Sequence, residues 1–138
     1  MKRYAWILAA ILVAVTVRAA DVNWTHDYDE ALKKAKADKK LVMIDIYTDW
    51  CGWCKKLDKD VYTDKSIQEK LAKGFICVKI NPEKNSKNKK VAKDFGVKGF
   101  PYIAFVDADG KKLDEIGGYM PAKDFGKVID RVAKKSGQ

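Results

Sequence analysis

The sequence predicts an α/β domain, a central mixed β-sheet flanked by helices. Three observations predict it. Leu41–Tyr47 and Phe75–Ile80 are nearly continuous apolar runs of strand length, as expected for strands covered on both faces. Segments before, between and after them place apolar residues at helical spacing. Tyr102–Val106, the turn residues Asp107 to Gly110, and Lys111–Ile116 read as a hairpin. Helices alternating with buried strands imply helices packed on a sheet, with parallel pairs joined by crossovers. A chain of 138 residues has room for one such domain and one core.

The first twenty residues stand apart. Lys2 and Arg3 precede the apolar run Tyr4 to Val17, and Ala19 and Ala20 close it. This tripartite order is that of a secretory signal peptide. Arg18 stops the run short of the roughly 20 apolar residues that a spanning helix requires. The expected organisation is therefore a signal peptide over 1–20 and one domain over 21–138, periplasmic or secreted, with no stable membrane insertion after cleavage. Cleavage removes three basic residues and no acid, lowering the net charge from +9 to +6. The remaining lysines are scattered among acids and Arg131 is the only arginine left. A nucleic-acid surface would cluster its cations in a stripe, so no nucleic-acid partner is expected.

Within the domain, Ala31, Leu32 and Ala35 mark a helix over Asp27–Ala37. The Leu41–Tyr47 strand runs into Thr48, Asp49 and Trp50-Cys51, and Leu57 and Val61 then share a helical face. The Cys51-Gly52-Trp53-Cys54 motif thus sits where a strand ends and a helix begins. A second helical piece starts near Thr63 or Asp64, carrying Ile67 and Leu71 toward Gly74. Asn81-Pro82 closes the second strand, and Glu83–Lys90 reads as a polar loop before a short helix at Val91–Phe95 that Gly96 ends. A last helix after Pro121 uses Phe125, Val128, Ile129 and Val132 as its apolar stripe.

Three cysteines, one tight pair and one loner, suit redox chemistry better than a stapled scaffold, which wants a larger, even set. At the first turn of a helix, unpaired N–H groups and the helix dipole favour the Cys51 thiolate. Cys54, one turn on, is placed to resolve a mixed disulfide formed on Cys51. Zinc uses the same spacing but needs four ligands. The remaining candidates are Cys77, within a strand, and His26, the single histidine, so no metal is expected. A purely structural disulfide is the other alternative, although so short a loop constrains little of the unfolded chain. Asp45 interrupts an apolar strand, where desolvation raises its pKa and makes it able to take and return the Cys54 proton. A structural pairing with Lys79 on the second strand is the alternative, and both can hold. Cys77 reads as a small buried apolar residue.

These residues resemble the thioredoxin superfamily. Ile44-Asp-Ile-Tyr-Thr-Asp-Trp-Cys-Gly-Trp-Cys-Lys55 is similar to its active-site strand and turn, with the buried acid six positions before the first cysteine. Phe95-Gly-Val-Lys-Gly-Phe-Pro-Tyr102 is similar to the segment that ends in a cis-proline beside the redox pair. Gly117 falls where the family keeps a glycine for approach of substrate backbone, and Lys79 where it often has a lysine near the buried acid. The resemblance implies a thioredoxin-like fold, a cis Pro101, and a substrate surface made by Trp50, Gly52, Trp53, Phe100 and Gly117. Trp53 stands where thioredoxin proper has proline, Tyr47 where it commonly has tryptophan, and Phe100 where it has a smaller aliphatic. With the two-piece helix, these departures look like the exported bacterial, disulfide-isomerase-like branch.

The expected function is exchange of a dithiol/disulfide with protein substrates through a Cys51 mixed disulfide, as reductase rather than oxidant. It needs no cofactor beyond the Cys51–Cys54 pair. Its expected partners are protein thiols and disulfides, and a redox partner such as a membrane electron relay. The rival class is a thioredoxin-fold adaptor or chaperone with a non-catalytic disulfide.

Overall fold

The computed structural model describes residues 21–137; the signal-peptide expectation for 1–20 lies outside the described residues. The chain order is β1 (Trp24–Thr25), α1 (Tyr28–Asp38), β2 (Leu41–Ile46), α2 (Gly52–Asp60), α3 (Lys65–Gly74), β3 (Phe75–Ile80), α4 (Ser86–Asp94), β4 (Tyr102–Val106), β5 (Lys112–Gly117) and α5 (Ala122–Lys135). The five strands form one mixed sheet in the order β1-β3-β2-β4-β5. Strands β1 and β2 run parallel to β3, whereas β4 is antiparallel to β2 and to β5. No described helix is long and apolar enough to cross a membrane.

Alternation along the strands sorts side chains onto the two faces. Val42, Ile44 and Ile46 of β2 join Ile76, Val78 and Ile80 of β3 in a cluster covered by Ala31 and Ala35 of α1 and Val91 and Ala92 of α4. Leu41 and Met43, with Phe75 and Cys77, face the other way, against Leu57 of α2, Ile67 and Leu71 of α3, and Phe125, Val128, Ile129 and Val132 of α5. Both faces are therefore covered, which is why all six residues of β2 are buried and its sequence shows no polar alternation. Asp45 and Lys79 have the parity of the second set and are directly paired in the parallel register. The fold thus puts the acid and the lysine side by side, on the face that carries α2.

Sequence cues set most boundaries. Asp27 caps α1 by accepting from the Glu30 N–H, and Asp64 caps α3 by accepting from the Ile67 N–H. Helix α4 departs from expectation: it begins at Ser86, because the Asn85 side chain accepts from the Asn88 N–H and buried Asn88 donates to the Asn81 carbonyl at 3.1 Å. Of the polar stretch read as a loop, 83–85 lie outside the helix and 86–90 form its first turn. Strand β2 ends one residue short of Tyr47, and β5 is shifted by one to end on Gly117. The two-residue β1 was not expected at all. Gly96 ends α4 with φ +68°, a backbone conformation that favours glycine.

Candidate active site

The strand β2 delivers its C-terminal end to the start of α2. Cys51 is the N-cap of that helix, with extended backbone, and its Sγ accepts a hydrogen bond from the Cys54 N–H at 3.1 Å. That donor and the dipole of α2 both favour negative charge on the Cys51 sulfur when the pair is reduced. Cys51 and Cys54 form a disulfide with their Cα atoms 5.3 Å apart. Cys51 is only 5% exposed and Cys54 3%. Each sulfur covers part of the other, and the surface at this point is given to the indoles of Trp50 and Trp53, exposed at 68% and 59%. Free Cys77 is buried in the core, where burial pushes its thiol up to about 12.

Both indoles are held. Trp50 donates from Nε1 to Glu83 Oε1 at 2.8 Å and meets the Phe100 ring edge-on at 5.9 Å. Trp53 leans on Tyr119, with ring centroids 5.5 Å apart, and the Lys56 ammonium lies 5.4 Å from the Tyr119 ring centre. The Phe100–Pro101 bond is cis and Pro101 is buried. The Pro101 carbonyl accepts from the Gly118 N–H at 2.9 Å, tying this loop to the end of β5. Gly117 pairs with Tyr102 across the β4–β5 ladder, and open space surrounds the position a Cβ would take there and at Gly52. It is Gly118, not Gly117, that has the glycine-favouring φ, +103°.

Beneath α2 lies a buried charged cluster. The Asp45 residue is 1% exposed, and its Oδ2 is 3.3 Å from Lys79 Nζ. The same ammonium sits 2.8 Å from Asp58 Oδ1 on α2. It also faces the rings of Tyr47, Trp24 and Tyr62 at 4.6, 5.0 and 5.6 Å, so cation–π attraction replaces part of its lost hydration. Burial raises the Asp45 pKa and Lys79 pulls against that rise without cancelling it. Burial works against the Lys79 charge, but Asp45 and Asp58 outweigh it and hold its pKa above the ordinary lysine value. Asp58 lies one helical turn beyond Cys54, and Cys54 and Leu57 are the buried residues of α2. The helix is thereby anchored to the acid–lysine pair on the side that carries Cys54.

Sequence reasoning named Asp45, Lys79 and the motif residues but missed Asp58, Tyr62, Glu83 and Tyr119. Asp58 carried one usable signal, its spacing of four from Cys54. Glu83 and Tyr119 are exposed or half-buried loop residues whose partners lie 33 and 66 positions away in the chain, and no local pattern reports such contacts.

The fold and this constellation define a class: a thioredoxin-fold thiol–disulfide oxidoreductase with a CxxC redox pair. The chain belongs to the thioredoxin-like domain family, whose model matches residues 28–133. It is 36% identical over 96 residues to the thiol:disulfide interchange protein DsbD of Actinobacillus pleuropneumoniae serotype 5b, covering 67% of this chain and 16% of that protein. The chain thus spans about a sixth of the length of such a relative. Among solved structures it is similar to a Thermus thermophilus thioredoxin, with TM-score 0.76 and 22% identity over 86% of this chain and 92% of that one. It is also similar to a putative disulphide-isomerase from Bacteroides thetaiotaomicron, with TM-score 0.71 and 25% identity over 85% and 95% of the respective chains.

Proposed function

We propose that this protein is an exported reductase of protein disulfides. The observation that carries the reading is the asymmetry of the two cysteines. Cys51 is the N-cap, with its sulfur receiving an N–H at the positive end of α2, whereas Cys54 faces inward on the side anchored to Asp45 and Lys79. The reduced Cys51 thiolate attacks a substrate disulfide, forming a mixed disulfide and releasing one substrate thiolate, which takes a proton from solvent. Cys54 then attacks the Cys51 sulfur, and Asp45 accepts the Cys54 proton as it does so. The second substrate sulfur leaves as a thiolate that takes its proton from Asp45 or solvent, and the protein retains the Cys51–Cys54 disulfide. Two electrons have passed from the dithiol to the substrate, so a separate redox partner, such as a membrane electron relay, must restore the dithiol.

Trp50 and Trp53, each fixed by its own neighbour, wall the approach to Cys51, Phe100 before the cis Pro101 offers its backbone to an extended substrate segment, and Gly117 leaves room for that segment to approach. Lys79 supports the proton transfer by holding Asp45. Similarity to the thiol:disulfide interchange proteins supports the chemistry, and the tripartite order of the first twenty residues supports export. The test is capture. The Cys54→Ala variant, reduced and mixed with an extract of the source cells, should accumulate disulfide-linked adducts on Cys51 that dithiothreitol releases. The double variant lacking Cys51 as well should capture none. Absence of any adduct on Cys54→Ala contradicts the exchange mechanism and favours an adaptor.

A further inference from the structure

Three fully buried side-chain oxygens among the described residues stand without a hydrogen-bond partner: Asp45 Oδ1, Tyr62 Oη and Thr48 Oγ1. Such orphans are uncommon, because a buried polar atom left unpaired has given up its hydrogen bonds to water for nothing in return. Two of them belong to one neighbourhood. Asp45 uses Oδ2 on Lys79, and the Tyr62 ring lies 5.6 Å from that same Lys79 ammonium. Tyr62 follows the end of α2 and is 5% exposed. Its N–H donates to the Leu57 carbonyl at 3.2 Å and its carbonyl accepts from buried Gln68 at 3.1 Å. Its ring is wedged edge-on against Trp24 at 4.9 Å and Phe125 at 5.8 Å. A tyrosine gripped on both sides, its unpartnered hydroxyl in the same buried neighbourhood around Lys79 as an unpartnered carboxylate oxygen, is built to point.

We infer that Tyr62 is a positioning residue for the exchange reaction, its hydroxyl being the donor that closes on Asp45 Oδ1 when the carboxylate is charged. This rests on the proposed role of Asp45 as acceptor of the Cys54 proton. In the disulfide form neither oxygen has a hydrogen-bond partner; catalytic hydrogen bonds are often open at rest and tighten only during reaction. Burial raises the Asp45 pKa, while Lys79 and then the Tyr62 hydroxyl lower it and Asp58 raises it. The reciprocal effect holds, since Tyr62 ionisation is suppressed by burial and by Asp45, so the hydroxyl keeps its proton and stays a donor. The groups facing Asp45 are therefore Lys79 from β3, Asp58 from α2, Tyr62 from the segment after α2, and the neutral Cys77 thiol of β3. Cys54 joins them once reduced. Of these groups, Lys79 and Tyr62 are the strong donors available to the carboxylate in both redox states.

The experiment follows the Asp45 carboxyl carbon and the Tyr62 ring carbon bearing the hydroxyl by NMR in the reduced protein through a pH titration. In the wild type, the Tyr62 signal should shift with the Asp45 midpoint. In Tyr62→Phe, that midpoint should move to higher pH, because a donor to the charged form has been lost, whereas Thr48→Val should leave it in place. The pH dependence of disulfide exchange should move in the same direction as the midpoint. A Tyr62 signal that stays flat while Asp45 titrates overturns the inference, and this reading needs no variant to fold. An unmoved Asp45 midpoint in folded Tyr62→Phe also overturns it. If the midpoint moves but the exchange profile does not, Tyr62 is confirmed as the partner of Asp45 and the proton-accepting role of Asp45 is what fails.

Discussion

Replacing Asp45 by Asn should make this protein more stable and a poorer catalyst at once. The stability effect follows from burial. The native environment raises the Asp45 pKa, so it favours the protonated acid. A carboxyl raised on folding contributes its stability while protonated, and that contribution is lost as pH rises from the ordinary aspartate value of about 3.9 through the native value. Above that window the wild type holds a buried charge that the unfolded chain would hydrate freely. Asn is nearly isosteric and carries no charge, and Lys79 retains Asp58 as a partner. Asp45→Asn should therefore stabilise the protein at neutral and higher pH by about 1–3 kcal/mol, the usual cost of an incompletely satisfied buried polar group. The gain should vanish below about pH 4. Denaturant unfolding of the oxidised proteins across pH checks it. The same variant removes the proposed acceptor of the Cys54 proton, so resolution of the mixed disulfide should slow by about 10²–10⁴-fold, while attack by Cys51 changes little. A variant that is less stable than wild type at pH 8, or that resolves at the wild-type rate, contradicts this account of Asp45.

Phe125→Ala should cost about 3–5 kcal/mol, the range for emptying a fully buried aromatic site. Phe125 is 0% exposed and stands in an aromatic chain, its ring 5.8 Å from Tyr62 and 6.4 Å from Phe105, with Phe105 in turn 5.9 Å from Phe75. The chain joins α5 to the central strands β3 and β4 and to the loop that ends α2. Against a total stability of about 5–15 kcal/mol for a domain, that loss brings the variant close to unfolding at growth temperature. It also removes one of the two rings that grip Tyr62. Chemical denaturation should show the loss directly. Phe125→Leu, which keeps most of the volume, should cost distinctly less. Equal losses in the two variants would mean that the position matters for something other than the space it fills.

Much of this arrangement was legible in the sequence because burial on both faces leaves a strong mark. A charged residue in Leu41–Ile46 or Phe75–Ile80 is conspicuous, and both such residues, Asp45 and Lys79, proved to be paired across the sheet. The α5 stripe was equally clear, since Phe125, Val128, Ile129 and Val132 meet one core on one face. The helix α4 was misread for the opposite reason. Lys84, Lys87, Lys89 and Lys90 crowd its beginning, and one of the residues it buries there is Asn88, a polar side chain that no apolar periodicity reports. Strand β1, with two residues, is too short to show any alternation. Asp58 hid within the sequence Lys55-Lys-Leu-Asp-Lys-Asp60, where an acid reads as part of a solvated face, although its carboxylate turns inward to Lys79. Tyr62 lies beyond the end of its helix, and its significance comes from Trp24 and Phe125, far away in the chain. The pattern is physical: burial shows in local composition, whereas contacts between distant side chains do not.

The central claim is that Cys51 and Cys54 form a working redox couple with reducing character. A redox titration of the protein tests it most directly, read by tryptophan fluorescence because Trp50 and Trp53 flank the pair. A reversible two-electron transition at about −240 mV or lower is the predicted result, that of a reductase fed by an external electron source. A transition above about −180 mV would reverse the proposed direction and make the protein an oxidant or isomerase. The absence of any reversible transition would contradict the claim itself, leaving the fold and the disulfide without the chemistry.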